Sequence, residues 1–101
     1  MFFDQTVNLA KSPGDTKNHY ASFPVSLSEN KKADDYATMS ALVPEYEDII
    51  KEIITEEFAN YTIDSVSANK DVIKKEVIKR ISELMNSDFI VNISFGNIIL
   101  E

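Results

Sequence analysis

The sequence contains no cysteine, two glycines, one histidine and no apolar run close to the roughly 20 residues a helix needs to cross a bilayer. Each scarcity excludes something. Without cysteine there is no disulfide framework and no thiolate metal site, although this is compatible with any compartment. Gly14 and Gly96 are too far apart to form a glycine-rich phosphate cradle. His19 sits on a polar stretch with no nucleophile-elbow motif in the chain, so it is read as an exposed, non-catalytic histidine. Met1-Phe2-Phe3 is too short an apolar start to act as a signal peptide. Positive charge is also short: 10 basic against 17 acidic residues leave a formal net charge of -7. Nucleic acid and anionic membrane surfaces, which both need clustered Lys and Arg, are therefore disfavoured as main partners.

What is present reads as one domain of ordinary composition, 44% hydrophobic and 27% charged over 101 residues. Its organising stretch is Asn69 to Glu101, a long amphipathic helix running into a long apolar strand. Asn69 is the expected N-cap, with Asp71 favourably placed in the first turn. Ile73, Val77, Ile81 and Leu84 recur at helical spacing, and Val72, Ile78 and Met85 widen the stripe. Glu76 and Arg80 stand four apart in the favourable order for an ion pair. Asn86-Ser87-Asp88 ends the helix. Phe89, Val91, Ile93 and Phe95 then alternate with Ile90, Asn92, Ser94 and Gly96 as a strand. A β-bulge at Gly96–Asn97 would return Ile98 and Leu100 to the apolar face. This last segment is expected to be the central member of the sheet.

Upstream, Phe3, Val7 and Leu9 give a first strand-like segment. Pro13-Gly14-Asp15 is a turn signal, because proline fixes φ and glycine accepts positive φ. Ala21, Phe23, Val25 and Leu27 form a second, half-buried strand, antiparallel to the first. Pro24 cannot donate a ladder hydrogen bond, so that strand should lie at an edge or turn the position away from a neighbour. A short helix over 33–42 closes before Pro44, which suits the first turn of the next helix. Tyr46, Ile49, Ile50, Ile53 and Ile54 make a dense apolar stripe there, extended by Phe58. The stripe either packs on the sheet or is partly exposed as a subunit or partner interface. Thr62, Ser65 and Ser67 can cap or turn the connector that follows. Asp34-Asp35 and Glu45, Glu47 and Asp48 lack EF-hand spacing and are read as helix-dipole partners rather than cation ligands. No catalytic residue, metal or cofactor is expected. The fold class is α+β: a small antiparallel sheet of about three strands with two to three helices on one side, in the order β-β-α-α-β.

These segments, in this order, resemble one known family. The stretch from Ile73 to Leu100, with its VIKRISELM helix and IVNISFGNII strand, resembles the end of the flagellar basal-body-associated protein FliL. Val7-Asn8-Leu9 and the segment Tyr20 to Leu27 resemble that family's first two strands. Val43-Pro44-Glu45 followed by Asp48-Ile49-Ile50 resembles its helix start, and Tyr61 to Val66 stands where it carries a turn. Asn69 replaces a frequent glycine, and Gly96-Asn97 replaces a charged or aromatic pair. The resemblance implies a stomatin/prohibitin-like fold lying outside the cytoplasmic membrane. A short cytoplasmic tail and one N-terminal transmembrane helix would lie outside this chain. The implied partners are the flagellar stator proteins and the basal-body ring, with homo-oligomerisation into a ring around the stator linker in support of motility and chemotaxis. The Ile-rich helix and the loops 11–18 and 28–35 are the expected contact surfaces. An alternative is a membrane-tethered scaffold of the same fold organising another complex. A small hydrolase using His19 is the reading from a different class.

Overall fold

Residues 20–29 alternate apolar and polar side chains for longer than any other stretch, and they form the strand to which the rest of the sheet pairs. The computed structural model describes residues 1–101. Strand β1 spans Phe2–Asn8 and β2 spans Tyr20–Glu29. A short helix α1, Tyr36–Leu42, runs through a 3₁₀ turn at Val43–Tyr46 into α2, Glu47–Phe58. Helix α3 covers Lys70–Met85 and leads to β3, Ile90–Phe95, and β4, Ile99–Leu100. The architecture is α+β. Four antiparallel strands form one sheet with β2 at its centre, flanked by β1 on one side and by β3 and β4 on the other. Helix α2 lies over β1 and α3 over β3, and the two helices pack together.

The alternation decides which face is covered. Phe3, Val7, Ala21, Phe23, Val25, Leu27, Ile93 and Phe95 are buried under the helices, while Asp4, Thr6, Asn92 and Ser94 point to the open face. Helix α2 contributes Ile50, Ile54 and Phe58, and α3 contributes Ile73, Val77, Ile81 and Met85, spaced four apart. Phe58, Phe23 and Phe95 join the layers. The first two rings stack with centroids 4.6 Å apart, and Phe95 meets them edge-on at 5.2 and 5.1 Å.

The turns follow their residue chemistry. Gly14 has φ +82°, and the Asp15 N–H reaches the Ser12 carbonyl at 3.0 Å, closing the Pro13-Gly14 turn between β1 and β2. Asn86 ends α3 in the left-handed region at φ 49°, with the Ser87 N–H bonded to the Ser82 carbonyl. Thr62 and Ser65 tie a local turn, which brings the connector alongside Ala10.

Five expectations are corrected. The final β segment is not central. The ten residues of β2 are instead long enough to pair with β1 on one side and with both β3 and β4 on the other. Pro24 accordingly lies in the central strand. Odd residues of β2 exchange hydrogen bonds with β1, and even residues face β3 and β4, as the Tyr20–Glu101 and Gly96–Pro24 bonds show. The proline nitrogen therefore faces Gly96–Ile98, where the ladder is already broken between β3 and β4 and no donor is required. That break carries one extra residue on the terminal side, and it leaves Ile98 and Leu100 packed against the core, as the parity of the sequence requires. A second bulge, not anticipated, lies at Val91. Ser28 pairs with Asn92 but Glu29 with Ile90, so Ile90 turns inward and Val91 outward. In α3, Leu84 and Val72 are exposed, because the buried line is the strict i, i+4 series that ends at Met85. Finally, Asn69 occupies the N-cap position, but its side-chain amide donates to the Ser65 carbonyl and caps no helix N–H.

Gly96 has a second role. A Cβ there would lie 2.5 Å from Pro24 Cγ. Gly96→Ala should therefore cost about 1–3 kcal/mol through overpacking, because the proline ring has little freedom to withdraw. Chemical denaturation is the check: a midpoint unchanged from wild type would mean that the β3–β4 break can shift without strain.

Candidate functional site

The sequence-derived contact residues separate into two groups once the helix is placed. Ile50 and Ile54 are fully buried and face the sheet, and Ile53 is 6% exposed at the seam between α2 and α3. Tyr46 is half-buried against the core at the end of the 3₁₀ turn. Only Ile49, at 42% exposure, presents a large side chain outward. The division follows from helix geometry: positions 50, 54 and 58 form one inward row, and 49 and 53 the row beside it. The loops 11–18 and 28–35 flank opposite ends of β2. Residues 28 and 29 belong to β2 itself, and the eight strand residues 20–27 hold the two segments roughly 26 Å apart, so they are not one continuous patch.

The structure brings Ile49 and Ile53 together with Leu84 of α3 in a groove of about 460 Å³ between the two helices. Glu52, Glu56, Glu83 and Arg80 complete its lining. Arg80 does not pair with Glu76 along its own helix. It bridges to α2, with Nη2 on Glu56 at 3.1 Å and Nη1 on Glu57 at 2.9 Å. The hydrogen bond to Glu56, followed by that to Glu57, holds the guanidinium pKa above its ordinary value. The pairing clamps α2 to α3 at the groove's lining; with Arg80 one-third exposed, it contributes about 1 kcal/mol at most and less in high salt. Leu84 was legible as an apolar residue, but its exposure depends on how α3 rolls against α2. Gln5 was not singled out at all. It is buried beneath α2 and donates to the Lys51 carbonyl at 2.7 Å and to Thr55 Oγ1 at 2.9 Å, while its Oε1 has no partner.

His19 is half-buried rather than exposed. Its Nε2 lies 2.7 Å from Asp15 Oδ2, and its Nδ1 lies 3.2 Å from the Glu101 carbonyl. These contacts fasten the 10–19 loop to the end of the sheet. The Lys17 backbone N–H, and after it the His19 side chain, lowers the Asp15 pKa. A carboxylate whose pKa falls on folding stabilises the fold above its ordinary value of 3.8, and that contribution disappears as pH drops through the folded value. Asp15→Asn should therefore lower the melting temperature slightly at neutral pH and leave it unchanged at the acid end, so that the acid limb of the stability–pH curve becomes shallower. An acid limb identical to wild type would show that the loop contact contributes nothing.

Asp34-Asp35 and the acids at the start of α2 form no cluster of three or more metal-binding side chains. Asp35 instead accepts a 2.6 Å hydrogen bond from Ser87, joining the start of α1 to the end of α3. No helix is long and apolar enough to cross a membrane.

A four-stranded antiparallel sheet covered on one face by α2 and α3, and open on the other, defines the class as a small two-layer α+β domain. The particular family follows from comparison: the model of the flagellar basal body-associated protein FliL matches residues 2–100, and the chain belongs to that family. Comparison with curated proteins gave no match. Family membership associates the chain with the flagellar basal body and with a family of flagellar structural proteins.

Proposed function

We propose that this is a non-enzymatic interaction domain of the flagellar motor, which binds the stator units and supports rotation and swimming. It is held outside the cytoplasmic membrane by a transmembrane helix N-terminal to it, and it assembles as a ring around the stator linker. The mechanism is selection of a conformation. A ring that grips the extended, unplugged stator more tightly than the plugged form shifts the population by that difference in affinity. The observation that carries the reading is the family match over residues 2–100. The surface supports it: Ile49 and Leu84 expose apolar area on the helical layer, where a partner could cover it. His19, for its part, is engaged by Asp15 and the Glu101 carbonyl in a structural contact.

Deleting the gene should slow swimming in soft agar and lower the number of stator units engaged per motor, with the wild-type copy restoring both. Swimming speed and stator occupancy unchanged by the deletion would refute the proposal.

A further inference from the structure

The α2–α3 groove has a definite chemical character. Its floor is Ile53, and its two exposed apolar side chains are Ile49 on α2 and Leu84 on α3. Three carboxylates, Glu52, Glu56 and Glu83, line it against one guanidinium, Arg80. That guanidinium is already committed to Glu56 and Glu57. Glu52 and Glu83 are left in the groove without an ion-pair partner, since the remaining salt bridges join Lys51 to Glu47 and His19 to Asp15. The surrounding chain carries a net charge of -7, so its long-range field also draws cations.

We infer that this groove docks a basic amphipathic segment of another protein, whose apolar side chains sit between Ile49 and Leu84 and whose Lys or Arg side chains pair with Glu52 and Glu83. The inference rests on the reading of α2 as a contact surface and names the chemistry of its partner. Charge complementarity selects this occupant over a second copy of the chain. Every copy carries the same net charge of -7, so a second copy brings net like charge to these carboxylates whether the contact is two-fold or head to tail. A helix laid along a groove formed by two helices reads as regularly spaced apolar anchors, which the Ile49–Ile53–Leu84 strip would accept.

The probe is a synthetic amphipathic helical peptide with leucines on one face and lysines on the other, paired with a version carrying glutamate in place of lysine. Fluorescence anisotropy on the folded chain should show saturable binding of the basic peptide, weakened by added salt, and none of the acidic one. Leu84→Ser alone, and Glu52→Lys with Glu83→Lys, should each weaken binding by about tenfold, a loss of 1.4 kcal/mol. Val91→Ser on the open face of the sheet should leave it unchanged. These positions are exposed, so unchanged melting curves establish that each variant is folded. Amide chemical shifts should move at Ile49, Ile53 and Leu84. Equal binding of the acidic peptide, equal affinity of the Leu84→Ser variant, or shifts confined to the sheet face would overturn the inference. So would a dimer in sedimentation that Leu84→Ser dissociates, since a second copy would then fill the groove. The two readings fail separately. Peptide binding with normal motility in the deletion strain removes the motor function and keeps the groove, whereas lost motility without peptide binding does the reverse.

Discussion

Ile81→Asp is expected to unfold the protein at neutral pH. Ile81 is fully buried on α3, in the row Ile73, Val77, Ile81 and Met85 that seals the helix to the sheet. No cationic side chain is among the buried residues of the core. A carboxylate there must remain charged without a partner, take up a proton at a cost, or pull the helix away from the sheet. Each route costs several kcal/mol, against a total stability of roughly 5–15 kcal/mol for a natural fold. Far-UV circular dichroism and thermal melting give the answer. A cooperative transition at the wild-type temperature would show that this face of α3 is not the one packed on the sheet.

Phe58→Ala should be the most damaging of the simple truncations. Phe58 is fully buried at the end of α2, stacked on Phe23 of β2 and edge-on to Phe95 of β3. It therefore connects three elements distant in sequence, and two aromatic contacts are lost along with its buried area. The expected cost is about 3–5 kcal/mol. At the lower end that lowers the melting temperature by roughly 12 °C for a protein of this size. A loss below about 1 kcal/mol would mean that Phe23 and Phe95 close the gap, and that the ring triad is incidental packing.

Much of this was legible in the sequence, and the reasons are local. The period-two alternation of Ala21, Phe23, Val25 and Leu27 already orients β2, and the apolar stripes of α2 and α3 already name those helices' share of the core. Pro13-Gly14 and Asn86 announce their turns because few other residues accept the backbone angles found there. What stayed hidden depends on contacts between distant segments. The alternation of a strand shows which face is buried but not which neighbours it takes, so the central place of β2 could not be read from its residues. The bulge at Val91 reverses a parity that the sequence carries unbroken from Phe89 to Phe95. Arg80 offered a partner one turn away in Glu76, yet the acids of α2 hold it, because the close approach of the two helices brings Glu56 and Glu57 within reach. The contact surface was half legible for the same reason. The stripe from Tyr46 to Ile54 mixes residues that hold the core with those that face outward, and only the roll of α2 against α3 separates Ile49 from Ile50.

The proposal that the helical layer grips the motor is tested most directly by photo-crosslinking in flagellated cells, with a photoreactive residue at position 84 or at position 94. Leu84 opens into the α2–α3 groove, and Ser94 lies on the opposite, open face of the sheet. The account predicts a crosslink from position 84 to a stator subunit, lost when Glu52 and Glu83 are both replaced by lysine, and none from position 94. Stator crosslinks that arise from position 94 and never from position 84 would contradict it.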